Sequence, residues 1–133
     1  MSAWPLHFPL QCPPSNSIAL VCNVYRFTNR RTPCDADFLS HYERKPDTDW
    51  KDPCQARGLS VLRTIADCLT MQDGVPALRK KCIAVATISV SVGVIVKTPS
   101  QTSSEHHTWW RSAPVATVLP LFASLNNIPK VQP

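Results

Sequence analysis

Residues 83–97 read IAVATISVSVGVIVK, an almost unbroken series of β-branched and small apolar side chains whose one charge, Lys97, comes at its end. Such a composition suits the pleated, half-buried surface of a sheet better than a helix. The run is long for a single strand, and Ser91 and Gly93 supply points where a hairpin or a bulge can form. Upstream, residues 18–28 (IALVCNVYRFT) repeat the signal, with Val24 and Arg26 facing one side of a strand and Tyr25 and Phe27 the other.

Helical signals lie between and around these strands. Thr32-Pro33 offers a cap and a first-position proline, and Asp35 and Asp37 put negative charge in the first turn, which predicts a short helix through Phe38, Leu39 and Tyr42, closed by Pro46. Residues 45–57 form a polar loop, and Gly58-Leu59-Ser60-Val61 resumes order as a short strand or tight turn. Thr64 with Asp67 three positions on resembles a capping box, and Ile65, Cys68, Leu69 and Gln72 line one stripe of the helix that follows. Asp73-Gly74 stops it, residues 75–81 can add a further turn, and residues 115–125 form another apolar segment, interrupted by Pro120. A few strands mixed with two or three short helices predict a small single α+β domain with a mixed or antiparallel sheet. Pro5, Pro9, Pro13 and Pro14 set residues 1–17 apart as an extended arm, leaving residues 18–133 as the domain.

Composition excludes several functions. The chain has 133 residues, enough for one domain with a core of its own. Its three glycines cannot supply the glycine-rich fingerprints of P-loop or dinucleotide-binding folds. The net charge of +5 is dispersed, with Arg79-Lys80-Lys81 the one run of three, so nucleic acid is not an expected partner. Six cysteines, at 12, 22, 34, 54, 68 and 82, show no zinc spacing. The N-terminal MSAWPLHFPL has no basic region and is broken by Pro5 and Pro9, so no secretory signal is expected and reduced cysteines in a cytoplasmic protein are. No apolar stretch is long enough to span a membrane.

Chemistry concentrates in residues 103–110, SSEHHTWW, where Glu105, His106 and His107 can exchange protons or stabilise a cation and Trp109 and Trp110 can stack on a planar ring. Alternation along a strand sends the two indoles to opposite faces, which places at least one of them in the core. Ser40-His41-Tyr42-Glu43 fans around a helix axis and forms no single pocket, and there is no HExxH or GxSxG. Arg26, inside a strand, is unusual, and its guanidinium fork suits a phosphate or carboxylate. These readings give no metal site.

The blocks CPPSN, VYRFTN, DFLSHYE, PCQARGLSV and HHTWW, in that order, resemble a group of small bacterial proteins to which no activity attaches. More loosely, an early arginine, a middle serine and a late glutamate are similar to the order found in compact ADP-ribosyltransferase-like domains, including the RES-type toxins that consume NAD. That resemblance implies Arg26 on the NAD phosphates, Ser60 supporting the nicotinamide-side ribose and Glu105 stabilising the oxocarbenium-like centre; on that reading the His106-His107 pair lines the same cleft and an indole, Trp109 or Trp110, stacks on the base or nicotinamide. The expectation is therefore an NAD-using transferase or glycohydrolase of toxin or defence type. The alternative is a non-enzymatic interaction module that binds a protein partner, or a second copy, through its apolar C-terminal third.

Overall fold

The computed structural model describes residues 4–101 and 103–125. Its strands are β1 (Cys22–Thr28), β2 (Leu59–Val61), β3 (Cys82–Ile88), β4 (Gly93–Lys97), β5 (His107–Arg111) and β6 (Ala123–Ser124). They form two antiparallel sheets of three strands, ordered β1-β3-β6 and β2-β5-β4. Three short helices accompany them, α1 (His41–Arg44), α2 (Ile65–Gly74) and α3 (Val115–Val118), so the domain is α+β.

The 83–97 run is neither one strand nor a hairpin. It breaks at a 3-10 turn, Val90–Val92, and its halves enter different sheets: β3 lies between β1 and β6, and β4 pairs with β5. Gly93 makes the change of direction at φ 144°, where a Cβ would sit 2.2 Å from the Trp110 carbonyl oxygen and 2.6 Å from Trp109 Nε1. No other residue fits there without displacing β5. The sheets meet where Tyr25 of β1 exchanges bonds of 2.7 and 2.9 Å with Leu62, the residue after β2, and Ile18, ahead of β1, pairs with Ile95 of β4 through two amide bonds of 2.9 Å.

The core fills the space between the sheets. Val24, Ala84, Ala86 and Ile88 from one meet Leu59, Val61, Ile95 and Trp109 from the other, and Phe38, Val118 and Phe122 close the end. The Phe122 ring lies 4.7 Å from that of Phe38 and 5.9 Å from that of Trp109, within the range of favourable aromatic pairs. In the apolar C-terminal third, Trp109, Trp110, Ala113, Val118 and Phe122 are all buried. Residues 126–133 lie outside the described residues.

Four local expectations are corrected. The helix expected through residues 33–42 is a 3-10 turn, Asp35–Phe38, followed by the single turn α1. The Asp37 carboxylate folds back onto the Cys34 amide at 2.8 Å and the Asn29 amide at 3.1 Å, and Ser40 and Glu43 then cap α1 reciprocally at 2.9 and 3.2 Å. These side-chain bonds outcompete a continuous helix. On α2 the Thr64 cap forms, with the Asp67 amide at 3.0 Å, yet Ile65 and Leu69 are exposed and only Cys68 is buried. The arm is not extended over the described residues: Phe8, Cys12 and Ser17 amides close successive turns onto Pro5, Pro9 and Pro14 carbonyls. Finally, Cys12 and Cys54 form a disulfide, against the expectation of wholly reduced cysteines.

The disulfide pins the arm over the outer face of the β2-β5-β4 sheet. On that face Trp110 donates from Nε1 to the Cys54 carbonyl at 2.9 Å, and Gln55 Nε2 donates to the Thr108 hydroxyl at 2.9 Å. Arg57 reaches the His7 carbonyl at 3.0 Å and stacks 3.6 Å over Tyr42, against which the His7 ring also stacks. β5 is consequently buried along its whole length.

Candidate functional site

A cleft of about 430 Å³ opens at the seam where β1 meets β2. That is within the size range of small-ligand sites. Arg26 comes from β1, Ser60 from β2, His41 and Arg44 from α1, Lys81 from the residue before β3, and His106 from the approach to β5.

Arg26 occupies its place because the sheet leaves room for it. Its position on β1 shares a face with Val24 and pairs with Ala84, whose side chain is too small to fill the end of the core. The guanidinium is fixed by two carbonyls, Nε donating to Asp37 at 2.7 Å and Nη1 to Ser60 at 2.7 Å. Nη2 has no hydrogen-bond partner among the described residues. Burial pushes the Arg26 pKa down to about 10, with Arg44 pushing the same way and Asp37 opposing, so the group stays charged at neutral pH.

The other cations are held similarly, by backbone and neutral partners. Arg44 donates to the Leu39 carbonyl at 3.3 Å and to that of Ala36, and Lys81 donates to the Asn29 side-chain oxygen. Among the described residues Asp37 is the one carboxylate in the cleft wall, and both its oxygens accept backbone amides. Three cations thus face one committed carboxylate, which makes the cleft attractive to anions.

The structure brings together Arg26, Ser60 and His106 from the expected site and separates the others. Glu105 lies outside the cleft, half exposed, with its carboxylate 3.3 Å from Lys97 Nζ. His107 is buried and turned to the Glu105 carbonyl at 2.7 Å. Trp109 and Trp110 do point to opposite faces, but both are fully buried, so the expected stacking of a base on either indole is corrected: neither face is open to a ligand. Arg44 and Lys81 escaped the sequence reading, and His41, set aside there as part of a helix end, lines the cleft beside them. The only signals were the Arg44-Lys45 pair and the 79–81 run, which resemble ordinary solvated charge.

A second polar centre was also invisible. Glu43 accepts two bonds from Arg111 Nη2, at 2.6 and 2.7 Å, and Arg111 is almost wholly buried. Burial alone would raise the Glu43 pKa, but the Arg111 bond and the Ser40 amide outweigh it and hold the carboxyl below its ordinary value. The pair locks α1 to β5 and so sets the cleft rim.

Among the described residues no three metal-ligating side chains are gathered, and no helix is long and apolar enough to cross a membrane. Compared with protein-family models, curated proteins and solved structures, the chain matches none of them.

Proposed function

We propose that the domain is a binding protein for a small phosphate-bearing ligand, held in the seam cleft. The observation that carries this reading is the convergence of Arg26, Arg44 and Lys81 on one 430 Å³ space whose single carboxylate is already satisfied by amides. Cations held in place by carbonyls lose little freedom when an anion arrives, and charge-assisted bonds to phosphate are the strong kind. NAD and its fragment ADP-ribose are the ligands to try first, since Arg26 and Ser60 lie side by side as a dinucleotide phosphate and its neighbouring ribose would require.

Binding has more support than transfer of ADP-ribose. An oxocarbenium-like centre needs a free carboxylate beside it, and Glu105 is engaged by Lys97 away from the cleft. The test is calorimetric titration of the intact chain with ADP-ribose and NAD. Saturable binding that weakens on adding salt, and falls roughly tenfold in Arg44→Gln or Lys81→Gln, is expected for charge-assisted contacts of about 1.5–3 kcal/mol. Binding indifferent to both substitutions and to salt would exclude this site.

A further inference from the structure

Resting on the anion-binding reading, we infer that His106 is the acceptor by which the cleft reads a hydroxyl, so that its ligand is the phosphate ester of a polyol, such as a sugar phosphate, in preference to a bare anion. The inference begins with the tautomer. His106 Nδ1 lies 2.9 Å from the Thr98 carbonyl oxygen, which can only accept, so Nδ1 carries the proton. The Thr98 hydroxyl is 3.0 Å from the same nitrogen and 2.7 Å from the Thr108 hydroxyl, which in turn accepts Gln55 Nε2 at 2.9 Å. The ring is therefore gripped from one side by a continuous chain of hydrogen bonds.

With Nδ1 protonated, Nε2 of the neutral ring has a lone pair and no hydrogen. Burial lowers the His106 pKa, with the Thr98 carbonyl opposing and His107 adding to the fall, which keeps the ring neutral at physiological pH. Nε2 makes no hydrogen bond to a described residue, and His106 lines the same cleft as Arg26 and Lys81. Every cation in that cleft is a donor, and the Asp37 oxygens are taken. The wall thus offers donors for an anion and, from His106, an acceptor suited to a ligand O–H or N–H in place of water.

Arg26 of β1 and His106 both line the cleft. Ser60, whose carbonyl holds Arg26 Nη1, pairs directly with Thr108, and His106 lies two residues before Thr108, immediately ahead of β5. At the usual strand rise that is on the order of 7 Å.

The test compares inorganic phosphate with ribose 5-phosphate by calorimetry, in the wild-type chain and in His106→Phe. We expect ribose 5-phosphate to bind about 5- to 10-fold more tightly than inorganic phosphate in the wild type, as one hydrogen bond allows. That advantage should vanish in His106→Phe while affinity for inorganic phosphate is kept. An equal preference in both proteins, or none in the wild type, overturns the assignment but leaves the anion site standing; loss of binding for both ligands in the wild type overturns both. Should His106→Phe not fold, imidazole nitrogen NMR of the wild type decides. A protonated Nδ1 with an Nε2 signal that moves on adding ribose 5-phosphate supports the role, and the opposite tautomer or a motionless signal refutes it.

Discussion

Replacing Glu43 by Gln probes how the cleft rim is held, and its effect can be worked from the structure. The substitution keeps the side chain's length and an oxygen for the Ser40 amide, but leaves the buried Arg111 guanidinium without a counter-charge. Breaking a buried pair by removing one partner costs about 3–5 kcal/mol. The Glu43 side chain is 22% exposed, which favours the lower end of that range. A loss of about 3 kcal/mol, spread over an unfolding entropy of roughly 2.1 cal/mol/K per residue, lowers Tm by about 10 °C. The pH dependence has a definite sign. The folded carboxyl titrates below its unfolded value of about 4.3, so its stabilisation is complete above that pH and is lost as pH falls through the folded value. His7 faces the pair and is present in both proteins. Urea denaturation followed from pH 7 to pH 3 should show the wild type losing its advantage over Glu43→Gln only in the acid limb. A double-mutant cycle with Arg111→Met should return a large coupling energy. A Tm change under about 2 °C, or wild-type and variant curves that stay parallel through the acid limb, would refute the account of the pair.

Other outcomes follow from the same structure. Opening the Cys12–Cys54 bridge, which closes a separation of 42 residues, should cost about 4 kcal/mol on the chain-entropy account, measured as the denaturation midpoint of Cys12→Ser/Cys54→Ser; alkylation of the denatured, unreduced chain should label the remaining four cysteines and no more. Gly93→Ala should destabilise by at least about 3 kcal/mol, because it combines a forbidden φ with a clash against the β5 backbone, and a near-neutral melting curve would contradict the path of the chain there. Gly58→Ala puts a Cβ 2.2 Å from the Thr108 methyl and should disturb the hydrogen bonds leading to His106, seen as a changed imidazole nitrogen spectrum with a modest stability loss.

What the sequence made legible was local. The β-branched runs, the Thr64 cap and the Asp73-Gly74 stop each depend on neighbours a few residues apart, and the alternation at Trp109-Trp110 correctly sent the indoles to opposite faces. What stayed hidden depends on distant partners. Residues 83–97 contain nothing to say that their halves join different sheets, since that is decided by Gly93 meeting β5. Cys12 finds Cys54 and Glu43 finds Arg111 only after folding. The candidate site shows the same division: Arg26 stood out as a charge within a strand, whereas Arg44 and Lys81 became cleft residues only because α1 and the start of β3 converge beside it. Glu105 and His106 are adjacent in sequence, and the turn before β5 sends one towards Lys97 in solvent and the other into the cleft.

The most direct test of the anion-binding cleft is an NMR titration of the intact, disulfide-bonded chain with ADP-ribose. The account predicts saturable shifts concentrated on the backbone amides of Asn29, Leu59, Ser60 and His106, all in or beside the seam. Amides there that stay still, or shifts that gather instead on the shallow surface of Leu69, Thr70 and Arg79, would contradict it.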